Sequence, residues 1–216
     1  MLMGMPGSGK GTHAAALSEK LRVPQVATGD MLRTAVSAGS TLGREAESYM
    51  RRGDLVPDRV VTALVERRVN EPDCRNGFVL DGFPRNVEQA RALRAAGVNL
   101  DVVLELQASE AEIIERLTGR RIHPTSGRIY HLTRHRPRVA GRDDVTGEPL
   151  VQRPDDAEEV VRKRLADYHA MASALFAYYQ EWAASGDPDA PRCIRVDGSG
   201  DVATSRARVF AALGLA

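Results

Sequence analysis

Residues 4–12, Gly-Met-Pro-Gly-Ser-Gly-Lys-Gly-Thr, combine the residue types that are needed to hold a phosphate. Their glycines permit backbone angles that turn consecutive N–H groups toward one anion. Lys10 adds a mobile cation, and a helix that starts here adds the positive end of its dipole. Gly11 follows the lysine, so the hydroxyl of Thr12 stands one position later than in the general G-x-x-x-x-G-K-[ST] pattern. A glycine-rich surface loop does not explain the Lys and the Thr, and we therefore predict a nucleotide-binding loop.

A carboxylate and an arginine follow the apolar run Phe78–Leu80. Asp81 stands where a buried strand ends, which is the place of the Walker B carboxylate that holds Mg²⁺, often through water. Arg85 offers a planar bidentate fork to a phosphate. Alone, this pattern is better explained as a turn with a surface ion pair. Together with the loop at 4–12, it predicts a phosphate site with a metal.

Further cations follow other predicted strands and helices. In residues 28–33, Thr-Gly-Asp-Met-Leu-Arg, we expect Asp30 to cap the next helix and Arg33 to point back to the sheet edge. Residues 116–142 hold eight arginines and no acidic residue. A single arginine is usually solvated or packed, but several that converge on a phosphate site stabilise charge during phosphoryl transfer. The remaining candidates are Arg116, Arg120, Arg153 and Arg164.

Length and composition restrict the class of protein. The 216 residues suit one α/β domain with insertions, and a net charge of +1 argues against a general nucleic-acid-binding protein. No apolar run approaches the ~20 residues of a membrane span, and too few residues precede Gly4 for a signal peptide. Cys74 and Cys193 lack the C-x-x-C spacing of a zinc site. We therefore expect reduced thiols in a cytoplasmic protein.

Short apolar runs alternate with helical patterns along most of the chain. Strands are predicted at 1–3, 25–27, 78–80, 102–106 and 193–196. Helices are predicted at 10–22, 31–38, 42–52, 59–70, 87–96, 110–121, 157–185 and 202–213. This alternation predicts a parallel sheet covered by helices on both faces, with ligands at the carboxyl ends of its strands. The first strand is shorter than the usual ~5–6 residues, so either the true start lies upstream or the fold tolerates a short strand.

Two segments interrupt this alternation. Residues 27–56 hold helical patterns without a strand, and residues 119–156 lack helical periodicity and are rich in Gly, Pro, Thr and His. Turn patterns at 126–131 and 143–148 indicate short strands, and such stretches in a compact domain are often active-site lids. We expect a lid at 119–156, an insertion at 27–56, and a core of residues 1–26, 57–118 and 157–216.

A resemblance to bacterial adenylate kinases extends over nearly the whole chain. It is carried, in family order, by GMPGSGKGT, TGDMLR, LVPD, DGFPRNVEQ, RLTGRRIHPTSGRIYH, GRDDVTGEPLVQRPDDAEEVVRKRL and RVDG. The resemblance implies a P-loop NTPase-type core with a five-stranded parallel sheet, a helical AMP-binding insertion and a small β-rich lid. It implies reversible, Mg²⁺-dependent transfer, ATP + AMP ⇌ 2 ADP, by a monomeric enzyme of adenine nucleotide homeostasis. Its partners would be small-molecule substrates, with no nucleic acid and no membrane.

The resemblance also implies roles for individual residues. On the ATP side it implies Gly7, Ser8, Gly9, Lys10, Gly11, Thr12, Arg116, Arg120, Ile129, Tyr130 and Gly200. On the AMP side it implies Thr28, Arg33, Asp54, Leu55, Val56, Gly82, Phe83, Pro84, Arg85, Gln89, Arg153 and Arg164. The catalytic set would be Lys10, Arg85, Arg120, Arg153 and Arg164. Asp81 would hold Mg²⁺ through water, and Asp155 and Asp156 would partner lid arginines on closure.

The chain departs from the family at several positions. His13 stands where a Gln is frequent, and we expect it to be structural. Gly200 stands where a Lys is common, but the contact there is made by the backbone carbonyl. Many relatives bind zinc through four lid cysteines, whose positions are here occupied by His123, Ser126, Asp143 and Thr146. Ser and Thr are poor zinc ligands, so we expect no structural zinc and a lid held by hydrogen bonds.

Two alternatives stay open. A kinase for another nucleoside monophosphate would differ at Thr28, residues 54–56 and Gln89. The Gln89 amide fits adenine, because it offers both a donor and an acceptor to the base edge. An RNA-binding regulatory module would use the arginine-rich lid, but only Tyr130 is available there to stack on bases.

Overall fold

A computed structural model describes residues 1–52 and 54–215. Gly53 of the predicted insertion and Ala216 of the predicted core lie outside the described residues. The strands are β1 Leu2–Gly4, β2 Gln25–Ala27, β3 Val79–Asp81, β4 Val102–Gln107, β5 Arg120–Ile122, β6 Ile129–His131 and β7 Arg192–Asp197. The α-helices are α1 Lys10–Leu21, α2 Thr28–Ser37, α3 Thr41–Arg52, α4 Asp58–Val69, α5 Val87–Ala95, α6 Glu110–Thr118, α7 Glu158–Ala184 and α8 Val202–Leu213. Short 3₁₀ turns cover Pro72–Cys74 and Pro154–Asp156.

The main sheet is parallel and five-stranded, in the order β2-β3-β1-β4-β7. The fold class predicted from the strand–helix alternation is therefore confirmed. The central strand β1 has only three residues, and it pairs with β3 at Leu2 and with β4 along its whole length. This order brings the carboxyl ends of β1 and β3 side by side. The phosphate loop and Asp81 are thus neighbours because of the strand order.

Helices cover both faces of the sheet. On one face α1 and α8 bury Leu17 and Val209 against Leu104. On the other face α4, α5 and α7 bury a larger cluster that includes Phe83 and Tyr179. Burial of apolar surface, worth about 25 cal/mol per Å², holds these layers together. Within the described ranges, no helix combines the length and the apolar character that crossing a bilayer requires.

Two local predictions are wrong. The helix expected at 31–38 begins at Thr28, directly after β2, so its N-cap is Ala27 and Asp30 lies in the first turn. Asp30 stabilises this helix end through the dipole and pairs with Arg33 instead of capping. The helix expected at 110–121 ends at Thr118, since Gly119 approaches β6 so closely that a Cβ there would lie 2.3 Å from His131 Nε2.

The two interrupting segments have different structures. In the first, α2 and α3 form a helical hairpin in which Gly43 is buried against α2. In the second, β5 and β6 form a small antiparallel sheet, which is extended by isolated bridges from Ile122 to Val151 and from Arg142 to Pro149. The helical and β-rich characters predicted for these segments are therefore present in the described residues.

Gly43→Ala should destabilise the helical hairpin. A Cβ at this position would lie 2.0 Å from the Ala35 carbonyl oxygen, so the two helices must separate. We expect the free energy of unfolding in urea to fall by about 1–3 kcal/mol, even though alanine gains roughly 1 kcal/mol of helix propensity over glycine. Ser48→Ala, at an exposed position of the same helix, serves as the control. An unchanged stability of Gly43→Ala would contradict this close approach.

Candidate active site

A cavity of about 1060 Å³ lies at the carboxyl ends of the strands. It is bordered by the phosphate loop, α2, α7, the β5–β6 segment and the turn before α8. The cavity brings together most of the residues predicted from separate motifs. The predicted site residues that line it are Gly7, Ser8, Gly9, Lys10, Gly11, Thr12, Arg33, Leu55, Asp81, Gly82, Pro84, Arg85, Arg116, Arg120, Ile129, Tyr130, Arg153, Asp155, Arg164 and Gly200.

The phosphate loop folds tightly before α1. Gly7 and Gly9 have φ values of 81° and 98°, a conformation that favours glycine. A Cβ at Gly7 would also lie 2.7 Å from Leu117 Cγ. The Lys10 Nζ donates hydrogen bonds to the carbonyl oxygens of Gly4 (2.7 Å) and Met5 (2.8 Å). The loop therefore places this ammonium directly on the cavity wall.

Asp81, the last residue of β3, faces the start of α1. Its Oδ2 accepts a hydrogen bond from Gln25 Nε2 at 3.2 Å. A Cβ at Gly11 would stand 3.3 Å from the same oxygen, so a larger residue at position 11 would crowd the carboxylate. This contact favours glycine at position 11, directly after Lys10. Burial raises the pKa of Asp81, while Lys10 opposes that shift.

Guanidinium groups from several elements surround the cavity, and carboxylates partner most of them. Asp30 lies 2.5 Å from Arg33 and 3.7 Å from Arg153. Arg120 donates to Asp156 at 2.8 and 2.5 Å through Nε and Nη2. Arg164 pairs with Asp155 at 2.9 Å. Arg85 donates instead through Nε to the Gly82 carbonyl oxygen at 2.8 Å. Among the described acidic side chains, none forms an ion pair with Arg85.

The cations raise the electrostatic potential of the cavity. Burial lowers the pKa of Lys10 to about 8, with Asp81 opposing the shift and Arg85 adding to it. Desolvation by the cavity walls, followed by the charge of Arg164, lowers the pKa of Arg85 to about 10. Burial and the neighbouring Arg33 lower the pKa of Arg153 to about 10. Each protonated group is therefore less stable here than in water, chiefly because it is desolvated.

Arg116 is fixed against the turn that precedes α8. Its Nη2 donates to Glu112 Oε1 at 2.6 Å and to the carbonyl oxygens of Gly198 and Gly200 at 2.9 and 3.1 Å. Because of these contacts the guanidinium plane is held at the cavity rim. Ile129, which is 47% exposed, also lines the cavity.

Some predicted residues lie behind the cavity wall. Thr28 Oγ1 donates to the Gly82 carbonyl oxygen at 3.2 Å, and Gln89 Oε1 accepts from the Arg85 N–H at 2.7 Å. Both side chains are buried. The predicted residues that do not line the cavity are Thr28, Asp54, Val56, Phe83, Gln89 and Asp156. The structure therefore brings the AMP-side candidates to one place, but several of them lie behind the residues that line the cavity.

Asp143 organises the segment that contains β5 and β6. Its carboxylate accepts from Arg128 at 2.7 and 2.6 Å, from Tyr130 Oη at 2.9 Å and from Thr146 Oγ1 at 3.0 Å. The Arg128 guanidinium holds the pKa of this carboxyl far below its usual range. Tyr130 also stacks on the His135 ring, with centroids 5.6 Å apart. The segment is thus held together by charge-assisted hydrogen bonds.

His123 joins this network from the other side. Its Nδ1 lies 2.7 Å from Ser126 Oγ and its Nε2 lies 2.5 Å from Glu148 Oε2. The four positions predicted to correspond to zinc cysteines are therefore neighbours, and they are engaged in hydrogen bonds. Across the described residues, no group of three or more His, Cys, Asp or Glu side chains is arranged to hold a metal ion.

Sequence reasoning missed several of these partners. The pairing of Asp30 with Arg33 has a signal, because their i,i+3 spacing on one helix favours an ion pair. Two other contacts have no local signal in the sequence. Glu148 lies 25 residues from its partner His123, and Asp58, which accepts from Gln89 Nε2, lies 31 residues from that partner. His13 lies 2% exposed between α1 and α8, with Nε2 3.2 Å from Ser205 Oγ. Burial, then Arg206 and Arg116, lowers the pKa of His13 to about 4.

The chain matches the model of one protein family, described as adenylate kinase, over residues 2–184. The chain belongs to the adenylate kinase family. The resemblance predicted from the motifs is confirmed, and with it a phosphotransferase of the nucleoside monophosphate kinase class. This family binds ATP and AMP and generally uses Mg²⁺ together with ATP. The match covers the phosphate loop, the guanidinium groups of the cavity and the Asp143 network.

Asp143→Ala should loosen the segment of β5 and β6, because it leaves Arg128 and Tyr130 without their acceptor. We expect trypsin to cut this arginine-rich segment roughly tenfold faster under native conditions, since proteolysis follows local opening. Asp144→Ala is the control, because among the described residues the Asp144 side chain accepts only from the Arg138 N–H. Equal cleavage rates for wild type and Asp143→Ala would show that the network does not hold the segment.

Proposed function

We propose that this protein is an adenylate kinase that catalyses ATP + AMP ⇌ 2 ADP with Mg²⁺ and balances the cell's adenine nucleotides. The observation that carries the proposal is the convergence of Lys10 and of guanidinium groups from α2, α7 and the β5–β6 segment on one cavity beside Asp81. A kinase that joins two phosphorylated substrates must neutralise the phosphates of both. The family membership supports the same reaction class.

ATP would bind along the phosphate loop. The backbone N–H groups of residues 7–12 and the Lys10 ammonium would hold its phosphates. Arg116, fixed at the rim by Glu112 and two carbonyl groups, would pack on the adenine, near the Gly200 carbonyl. Arg120, Ile129 and Tyr130 would cover the nucleotide from the other side. The rigid placement of Arg116 supports this assignment, since a fixed guanidinium plane is suited to stacking on a base.

AMP would bind at the N-terminal end of α2. Arg33, Arg85, Arg153 and Arg164 would hold its phosphate. Thr28, the backbone of residues 54–56, residues 82–85 and Gln89 would surround its base and ribose. Because Gln89 lies behind the cavity wall, the residues that cover its amide must move before a base can contact it. Gln89 supports adenine over the other bases through its paired donor and acceptor.

The nucleophile is an oxygen of the AMP phosphate, which is largely ionised at neutral pH because its second pKa is ~6. The transfer therefore needs no general base. Catalysis would depend on positioning the two phosphates in line and on neutralising their charge by Lys10, Arg85, Arg120, Arg153 and Arg164. With pKa values of about 8 and about 10, Lys10 and Arg85 stay mostly protonated at neutral pH.

Mg²⁺ fits beside Asp81. This buried carboxylate at a strand end supplies an oxygen of the kind that Mg²⁺ prefers, and it can hold the ion through water. Bound there with ATP, the ion would neutralise phosphate charge. Asp81 itself would orient the ion's hydration shell while its neighbour Gln25 keeps the carboxylate in place. Because its lid positions lack thiolates, we propose that the enzyme carries no zinc.

We further propose that residues 27–56 form the AMP-binding insertion and residues 119–156 form the lid of a core made of 1–26, 57–118 and 157–216. Closure of the lid would exclude water, which would otherwise hydrolyse ATP. The ion pairs of Arg120 with Asp156 and of Arg164 with Asp155 support a role for these carboxylates at the lid hinge. A monomeric, cytoplasmic enzyme without nucleic-acid or membrane partners is the expectation that the family resemblance carries.

A coupled assay of ADP formation tests the proposal. Activity is measured with ATP, Mg²⁺ and each of AMP, GMP, CMP and UMP. We expect AMP to be the preferred acceptor. A preference for another monophosphate would identify a different kinase of the same family. The alternative of an RNA-binding module is tested by filter binding of RNA at physiological salt concentration, where we expect no retention.

Lys10→Ala should lower kcat by roughly 10²–10³-fold, because it removes a charge that stabilises the transferring phosphoryl group. The thermal midpoint should stay close to that of the wild type. Lys20→Ala removes an equivalent charge from the far end of the same helix and is expected to keep full activity. Near-wild-type activity of a folded Lys10→Ala protein would exclude the assigned phosphate loop.

Treatment with EDTA should abolish activity, and added Mg²⁺ should restore both full activity and the thermal midpoint. The reason is that the metal enters with the nucleotide, while His123, Ser126, Asp143 and Thr146 are already engaged in hydrogen bonds with one another and with neighbouring residues. Metal analysis of the purified protein checks the second half of this expectation. A stoichiometric zinc content whose removal permanently lowers the thermal midpoint would contradict it.

A further inference from the structure

Asp58, the first residue of α4, forms hydrogen bonds with two amide side chains at the start of α5. Its Oδ1 accepts from Gln89 Nε2 at 2.6 Å and its Oδ2 accepts from Asn86 Nδ2 at 2.8 Å. Asn86 is also the N-cap of α5, where its Oδ1 accepts from the Gln89 backbone N–H at 2.8 Å. Neither Asp58 nor Asn86 has a role in the proposed phosphoryl transfer. Both act on Gln89, which is 2% exposed.

The neighbours of Gln89 allow only one orientation of its amide. The Oε1 end accepts from the Arg85 backbone N–H at 2.7 Å, and the Nε2 end donates to the Asp58 carboxylate. A reversed amide would place its oxygen against a carboxylate oxygen and its NH₂ against an N–H group. Both contacts would be repulsive, and buried polar groups would lose their partners. The direction of the amide therefore follows from the chemistry of Asp58 and Arg85.

Each end of this amide keeps one hydrogen-bonding position that no described residue fills. Nε2 has a second hydrogen, and Oε1 has a second lone pair. A 6-aminopurine offers an amino donor at position 6 and an acceptor at N1, which match the oxygen and the nitrogen of the amide in this orientation. A 6-oxopurine offers an acceptor at position 6 and a donor at N1. In the same pose, the 6-oxopurine needs the reversed amide.

We propose that Asp58 is a positioning residue that sets the choice between 6-amino and 6-oxo purine monophosphates. By fixing the direction of the Gln89 amide, it makes the base site accept AMP and reject IMP. The inference rests on the proposed function, in which Gln89 contacts the base of the acceptor nucleotide. A site built to pair with specific polar groups rejects analogues that leave those groups unpaired.

The test compares kcat/KM for AMP and for IMP, with ATP as the donor. IMP is the matched probe because it differs from AMP only at position 6 and in the proton on N1. Asp58→Asn keeps the volume of the side chain and removes one of the two contacts that oppose the reversed amide, while the Arg85 backbone N–H remains. We expect it to lower the AMP/IMP ratio of kcat/KM by roughly tenfold or more, with kcat for AMP changing less than its KM.

Glu88→Gln is the control, because it removes an adjacent first-turn carboxylate of α5 that is exposed. Its AMP/IMP ratio should equal that of the wild type. A folded Asp58→Asn protein with an unchanged ratio, whether or not its overall activity falls, would overturn the proposal and leave Asp58 a structural residue.

A second variant covers the case in which Asp58→Asn does not fold. Asn86→Ser keeps a capping oxygen for the Gln89 N–H but removes the amide donor to Asp58. We expect its AMP/IMP ratio to fall in the same direction by roughly threefold, and an unchanged ratio would again overturn the proposal. Failure of the proposed function has a different signature, since the wild-type protein would then form no ADP from AMP.

Discussion

The structure depends on bringing like charges together around one cavity. Two unit charges a few ångströms apart repel each other, and partial burial strengthens the repulsion. Burial is the main cause of the lowered pKa values of Lys10, Arg85 and Arg153, and in each case neighbouring cations lower the pKa further. Carboxylates relieve part of this repulsion: Asp30, Asp155 and Asp156 pair with the guanidinium groups. Phosphates of the substrates would relieve the rest, so that substrate binding and cavity geometry depend on the same charges.

The carboxylates also connect elements that are far apart in the sequence. Asp30 in α2 lies between Arg33 of its own helix and Arg153, which belongs to the second interrupting segment, residues 119–156. Asp156 holds Arg120 of β5, and both oxygens of this fully buried carboxylate are engaged. A phosphate that displaces Asp30 from these arginines would change the contacts of two segments at once. The ion pairs therefore offer a physical route by which one substrate can favour closure around both.

The sequence was sufficient to predict what depends on local pattern. The phosphate loop, the parallel sheet and the order of the helices follow from glycine spacing and from apolar periodicity, and the family follows from the motifs. The start of α2 was missed because β2 leads into it without a loop, and the end of α6 was missed because Gly119 is set by a contact with His131, which is remote in sequence. The partners of Asp58 and His123 could not be predicted either, since Asn86 and Gln89 are brought to Asp58 by the packing of α4 on α5, and Glu148 is brought to His123 by the bridge between Ile122 and Val151. The wall residue Gln89 was predicted as a base contact, but its burial depends on three-dimensional packing that no local pattern encodes.

The most direct test of the charge-based account is the distance between the proposed lid and the proposed AMP-binding insertion. Fluorophores are placed at Val145→Cys and Ser48→Cys, both exposed positions, in a Cys193→Ser background, since Cys74 is buried. The ligand is a bisubstrate dinucleotide, two adenosines joined by five phosphates, which offers the phosphates of both nucleotides at once. We expect it to shorten the mean distance and to bind far more tightly than ATP or AMP, with an affinity that falls as salt is added. An unchanged distance on saturation would contradict the account, because the cations would then not couple phosphate binding to closure.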